Sequence, residues 1–418
     1  MLKFFLFIIL SISIISATTL YSGNYALGNP SGGNGTIGSP FLISDVADLQ
    51  KLMTTSADWF SHFLQTADID MNGQTASAIG FDAINPFSPP GFSGTYNGDE
   101  HSISNLSFGN LTDYYQGLFA KINSQSSVYS LSIYNANITG GGATGIFCGV
   151  NHGHISKCYV TGIVTGVTSG VNDWFGIFTG GNHGTIQFSS ASGTINANNH
   201  LGGFCGLNDG LIRICYSIGE VNGNGSIGGF CGLNYCGYGG SGGIITMCYS
   251  KCNVNGLNSV GGFCGDNDQL ANINNCYSTG NVQGDERVGG FCGQNYSSSI
   301  SYCYSIGSVS GNTYYGGFSG VNYPYGTNIC NFWNIQTSGL SNAVGDGFNS
   351  GISPLTTPQF AERSNLQCFD FYSPWMIYNG YPTIIELTIP TLSQWSVIIL
   401  ISMICLFSMF FISKRFFF

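Results

Sequence analysis

Apolar positions in this chain come in short pieces. Between residues 117 and 322, runs of three to five apolar residues are bounded by Gly, Asn and Ser, and no stretch carries the 3.6-residue period of an amphipathic helix. One phrase recurs. It reads Gly145-Ile146-Phe147-Cys148-Gly149-Val150-Asn151, then GIFTGGN from 176, GGFCGLN from 202 and again from 228, GGFCGDN from 261, GGFCGQN from 289 and GGFSGVN from 316. An eroded copy, Gly117-Leu118-Phe119, precedes them. The phenylalanines (Phe119, Phe147, Phe178, Phe204, Phe230, Phe263, Phe291 and Phe318) are spaced by 28, 31, 26, 26, 33, 28 and 27 residues. Each unit has a second half, as in Cys215-Tyr216-Ser217 or Cys276-Tyr277-Ser278, usually followed by a Gly and then a Val.

A unit of this length with several short strands and no helix fits one coil of a parallel β-helix. A propeller blade needs roughly 40–50 residues. The pattern therefore predicts an all-β, right-handed parallel β-helix of about 8–10 coils. Equivalent residues then stack at about 4.8 Å from coil to coil, giving a rod of roughly 40–50 Å. Asn151, Asn182, Asn208, Asn234, Asn267, Asn295 and Asn322 share one repeat position, so their side chains are expected to hydrogen-bond up and down the stack.

The two ends differ from this body. Residues 1–17, MLKFFLFIILSISIISA, have one cation, an apolar run and small residues, the layout of a secretory signal. At the other end, Ile389-Pro390-Thr391-Leu392-Ser393-Gln394-Trp395 is followed by an uncharged run from Ser396 to Ser413 and then Lys414-Arg415. A helix of that length, about 27 Å, just spans a bilayer core. The basic pair after it predicts a cytoplasmic C-terminus. The expected organisation is a signal peptide at 1–17, an N-terminal cap and first coils at 18–116, and the repeat β-helix at 117–335. A closing segment follows at 336–388, and a sorting motif with a transmembrane helix and basic end at 389–415.

Two resemblances add to this. The tail resembles the IPTL-CTERM sorting tail of Gram-negative bacteria, with Ser396 standing where that family usually has Gly. The resemblance implies an exosortase-type sorting protease as a partner and a membrane association through the C-terminal helix; a plain C-terminal anchor is the alternative. The repeats resemble the GLUG repeat, roughly Gly-Gly-Leu-Val-Gly-x-Asn followed by Ile-x-x-Cys-Tyr, with Phe and Cys here replacing Leu and Val. Gly35-Thr36-Ile37-Gly38-Ser39-Pro40-Phe41, with Leu49, looks like that family's opening strand and short N-terminal capping helix, and Asn331-Phe332-Trp333 like the start of its close. GLUG repeats occur in bacterial surface and adhesin-like proteins. The implied function is an exported cell-surface or envelope structural protein, adhesin-like and non-catalytic, with a glycan or protein ligand. The alternatives are a polysaccharide-acting β-helix lyase or hydrolase, or a secreted effector released after tail processing.

Composition narrows the partners. Gly accounts for 62 of 418 residues, charged residues for 7% and aromatics for 14%, which favours an ordered repeat array over disorder. The net charge is −10, and residues 18–412 hold 7 cationic against 20 anionic side chains. No phosphate-neutralising patch can be assembled from these, so nucleic acid is not an expected partner.

Of 15 cysteines, ten fall at two repeat positions: Cys148, Cys205, Cys231, Cys264 and Cys292 at one, Cys158, Cys215, Cys248, Cys276 and Cys303 at the other. Cys330 is expected to continue the second column. Buried free thiols and disulfides are both open readings, since stacked parallel side chains rarely give a disulfide dihedral. Cys236 and Cys252, off the repeat, are the expected disulfide pair. Asp68-Ile69-Asp70-Met71-Asn72-Gly73 opens like a calcium loop, but position twelve is Ile79 and not Glu, so a strand and turn explain it. His152 and His183 share a repeat position near Asp209, and exposed turn residues are favoured over a metal set. No cofactor, metal or catalytic residue is expected. Asp266 and Asp268, with Asp285-Glu286 in the following turn, are the nearest approach to the clustered carboxylates of a glycan-cleaving site.

Overall fold

A computed structural model of the chain describes residues 31–82, 84, 87–167, 173–237 and 242–384. The signal at 1–17 and the tail motif (Ile389 to Trp395, with its helix) lie outside the described residues. Among the described residues, no helix is long and apolar enough to cross a membrane.

The expected coils are present, in about nine turns. Parallel strands form three long sheets of 11, 9 and 14 strands and a fourth of 6, and successive strands of each sheet come from successive coils. Cys231–Tyr235, for example, pairs in register with Cys264–Asp268, which pairs with Cys292–Tyr296. The physical reason is the repeat itself: identical residues at identical coil positions let every backbone ladder bond form without a change of rotamer.

The interior is built from columns. The Phe178, Phe204, Phe230, Phe263, Phe291 and Phe318 rings stack at 4.7–4.9 Å between centroids, with interplanar angles of 1–10°. Ile155, Ile186, Ile212, Ile245, Ile273 and Ile300 form a second column, at most 1% exposed. Each aromatic pair adds about 0.5–1.5 kcal/mol beyond the apolar area it buries. The eroded copy departs from the pattern. Strand register sets Phe119 opposite Cys148, one position off, and its ring meets Phe147 at 5.9 Å and 39°. The 28-residue spacing is absorbed there by one extra residue in the next coil.

The asparagines sit at a buried corner and bond as predicted. The Asn151 Nδ2 donates to Asn182 Oδ1 at 2.8 Å, and the same bond repeats through Asn208, Asn234, Asn267, Asn295 and Asn322 at 2.8–3.0 Å. The ladder starts where Asn151 Oδ1 instead accepts from the Gly153 N–H, and ends where Asn322 donates to the Phe348 carbonyl.

Both ends are covered. The expected capping helix runs from Val46 to Thr54, with Asp45 as N-cap accepting from the Asp48 N–H, and buries Leu49 and Leu52. Open solenoid ends expose unpaired strand edges, and a helix laid over the first coil removes that hazard. At the other end, Ile352–Leu355 adds the last parallel strand, and residues 356–384 then fold back along the outside of the last coils. Phe360, Leu366, Phe369 and Trp375 cover a stacked outer row of Tyr249, Tyr277, Tyr304 and Phe332. Trp375 Nε1 donates to Asn275 Oδ1 at 3.0 Å, and the Tyr304 hydroxyl donates to the Pro382 carbonyl.

The cysteine expectations are corrected here. Cys252 is a fully buried free thiol, so no Cys236–Cys252 bond forms. Cys252 occupies a position held by Gly219 in the preceding coil and points into the core, away from the loop that carries Cys236. The disulfide instead joins Cys330 to Cys368, with Cα atoms 6.3 Å apart, and fastens the closing segment to the last coil. Cys330 does not continue the second column. Asn331 stands there, its Oδ1 accepting from the Cys303 N–H at 2.9 Å, and Cys330 takes the left-handed corner (φ 55°) just before it. The ten repeat cysteines are free and buried. Burial pushes the Cys148 and Cys158 thiols up to about 12, and Cys231, Cys264 and Cys292 well above their usual value.

Candidate functional site

The site arises where two strands of the coil come unusually close. The glycine in each Cys-Gly-x-Asn step lies against backbone of the preceding coil. A Cβ on Gly206 would sit 2.3 Å from the Phe175 nitrogen, on Gly232 2.5 Å from the His200 carbonyl carbon, and on Gly265 2.4 Å from the Ile227 nitrogen. Nothing larger than Gly fits. This approach lays two rows of side chains beside one another as a seam along the rod.

The first row is the x position: Lys121, Val150, Gly181, Leu207, Leu233, Asp266, Gln294, Val321 and Asp346 in successive coils. The second is the corner before the six-stranded sheet: Tyr115, Ala143, Trp174, His200, Ser226, Ser259, Arg287 and Tyr314. The core columns repeat one residue type. These rows do not.

Near the N-terminal end the seam opens into a pocket of about 150 Å³, lined by Phe87, Ser88, Pro89, Tyr115, Lys121, Val150, His152, Trp174 and His183. Ala143 stands between Tyr115 and Trp174 in the row, so the two aromatic walls are not filled in between. Trp174 has room because Gly181 lies beneath it: a Cβ there would meet the indole at 3.1 Å. His152 and His183 stack at 4.7 Å and 16°, as their shared repeat position implied. The His183 Nδ1 lies 2.6 Å from Asp209 Oδ1. A carboxylate only accepts, so the proton is on Nδ1 and Nε2 faces the Gly181 and Trp174 side. Burial, then the neighbouring His183 and Lys121 charges, push the His152 pKa down to about 4. At neutral pH its imidazole is therefore an uncharged hydrogen-bonding group. Sequence reading found the histidines and Asp209 but missed Lys121, Tyr115, Phe87 and Trp174. No repeat signal pointed to Lys121, because the eroded copy aligns on Phe119, one position off the register that pairs Lys121 with Val150.

Farther along, the same seam turns acidic. Asp266 Oδ2 accepts from Ser226 Oγ at 2.5 Å, and Oδ1 is buried without a partner. Burial raises the Asp266 pKa to about 6, offset in part by Ser226 and Ser259. Asp268 is raised by burial as well, and its Oδ1 also lacks a partner. Glu286 is instead engaged by Arg287 at 2.8 Å. The calcium-like segment is resolved into turn chemistry: Asp68 Oδ1 accepts from the Ser102 N–H at 2.7 Å, and Asp70 Oδ1 from Asn72 and Asn105. Among the described residues no group of three or more His, Cys, Asp or Glu side chains forms a metal-holding set.

The family model described as the GLUG motif matches residues 256–283 and 284–310. Halomucin of Haloquadratum walsbyi is 37% identical over 134 residues, which is 31% of this chain and 1% of halomucin, so this chain spans a very small part of that relative's length. Among solved structures, a candidate immunoglobulin A1 protease from Bacteroides ovatus aligns over 85% of this chain and 94% of its own, at 17% identity and a TM-score of 0.42. A second chain, described as IgA1 protease, aligns over 84% of this chain and 25% of its own, at 15% identity and a TM-score of 0.44. At such similarity neither structure bears on activity. The match of the family model falls on two consecutive coils whose register, phenylalanine stack and asparagine ladder are those of the whole array: this chain carries tandem GLUG motifs, wound as a parallel β-solenoid.

Proposed function

We propose that the chain is an exported, surface or envelope-associated rod that binds a glycan or protein through its seam, with no catalysis. The observation that carries this reading is the pocket beside Lys121, His152 and Trp174: a concave, aromatic-walled site in the seam. The GLUG motifs and the partial likeness to halomucin support a surface or secreted location. The signal at 1–17, the sorting motif, the sorting protease as partner, the membrane helix and the right-handed winding belong to the same proposal. Right-handed crossovers are the rule for parallel strands of L-residues.

Fractionation of the producing cells, with mass spectrometry of both termini of the recovered protein, tests it. The expected result is an envelope or external protein beginning near residue 18. A wholly cytoplasmic chain with an intact N-terminus would overturn it.

A second reading, a polysaccharide-acting enzyme, is favoured by one observation: the burial-raised Asp266 beside Asp268. A carboxyl group titrating near pH 6 suits general acid catalysis. Turnover of acidic or neutral polysaccharides that disappears in Asp266→Asn would establish this reading instead.

A further inference from the structure

The pocket also carries a statement about which ligand it takes. We infer that it binds a single sugar ring bearing a carboxylate, of the uronic or nonulosonic acid type. This rests on the glycan-binding reading above and names the ligand class of the same site.

Three features of the pocket lead there. The first is size. At about 150 Å³ it is well below the roughly 300–1,000 Å³ of sites that enclose drug-sized ligands, so it takes one ring with its substituents. The second is its walls. Trp174, seated over the bare backbone of Gly181, and Tyr115 across from it present apolar surface of the kind that packs on the C–H face of a pyranose.

The third is charge. The lining holds one cation, Lys121, and no carboxylate, in a chain whose net charge is −10. Beside the pocket, Asp209 is already bonded to His183 and so turns that imidazole's Nε2 toward the Trp174 side. His152 supplies an uncharged partner and His183 a ring nitrogen for hydroxyl groups, while the Lys121 ammonium is a point charge for a carboxylate. Elsewhere in the x row the same position carries Val, Gly, Leu, Asp or Gln, so the ammonium is particular to this coil. The acidic stretch at Asp266 would repel such a ligand, which confines it to the N-terminal end of the seam.

The test uses the full chain and ligand-observed NMR with four probes: glucuronate, N-acetylneuraminate, glucose and N-acetylglucosamine. Binding of at least one acidic sugar is expected, about tenfold tighter than any neutral one, as a single charge-assisted hydrogen bond allows. Its affinity should fall as salt rises. Lys121→Met, which keeps the length of the side chain, should remove that tenfold preference with an unchanged circular dichroism spectrum. Trp174→Ala should weaken acidic and neutral sugars alike. Equal affinity for glucose and glucuronate, indifferent to Lys121→Met but lost in Trp174→Ala, would overturn the acidic ligand and leave glycan binding standing. No binding of any sugar, in either the parent or the variants, would overturn both.

Discussion

The interior of this solenoid and its seam are made by the same coils, yet they obey opposite rules. Inside, each coil places Phe on Phe, Ile on Ile and Asn on Asn, with rings nearly parallel and amide bonds of 2.8–3.0 Å. Along the seam, the neighbouring position runs from Lys through Val, Gly and Leu to Asp. The difference lies in what surrounds each position. A core residue touches its copies above and below, so a change in one coil leaves a cavity or an unpaired group in two others. A seam residue has solvent on one side. Repetition is enforced inside, and chemistry is free to vary outside.

Breaking the interior should therefore cost most. Gly265→Ala places a methyl group 2.4 Å from the Ile227 backbone nitrogen, which cannot move without tearing the ladder. A loss of about 4 kcal/mol or more is expected, read as a fall in the chemical-denaturation midpoint. Gly38→Ala, where nothing lies within 4 Å of the added atom, is the control and should leave the midpoint nearly unchanged. Similar losses in both would mean that close approach is not what selects glycine in the repeat.

Asn234→Ala comes next. It strands the donor of Asn208 and the acceptor of Asn267 in a dry corner, for an expected loss of about 2–3 kcal/mol. The same change at Asn322, the last rung, strands the buried donor of Asn295 and frees the carbonyl of Phe348, an exposed residue, so it should cost about half as much. Equal costs would argue against a coupled ladder.

The smallest effects are in the seam, and they have opposite signs at its two ends. The His152 pKa is lowered to about 4 from 6.5, so the unfolded chain binds the proton more readily. Stability from this group is complete above pH 6.5 and is lost as pH falls toward 4. Asp266, raised from 3.8 to about 6, does the reverse: its burial lowers stability as pH rises from 4 through 6. Asp266→Asn should thus stabilise the protein by about 1–2 kcal/mol at pH 7.5, allowing for solvent screening, and by little at pH 4. His152→Gln should flatten the acid limb between pH 6.5 and 4. A denaturation series in pH would read both, and a destabilised Asp266→Asn at pH 7.5 would assign that carboxylate a structural bond stronger than its desolvation cost.

How far the sequence reached depends on which of these regions is in question. The spacing of Phe147 to Phe318 and the constant Asn were enough for coil, column and ladder, because each is a contact between copies of one short phrase. The capping helix was expected only from the GLUG resemblance around Gly35 to Leu49. The cysteines were not fully legible: Cys236 and Cys252 stood out as irregular, but a disulfide depends on which side chains face each other. The partner of Cys330 was Cys368, in a segment whose path along the rod no local pattern records.

By itself, then, the sequence determined the solenoid, the identity of its buried columns and the place of glycine, since all follow from periodicity and steric limits one coil apart. The tertiary structure alone decided the rest. It brought Phe87, Tyr115, Lys121, His152, Trp174 and His183 from successive turns and a loop to one pocket, and laid residues 356–384 over the outer tyrosines. Such sites depend on side chains that do not repeat, meeting across a seam whose closeness is set by backbone packing rather than by any residue in it.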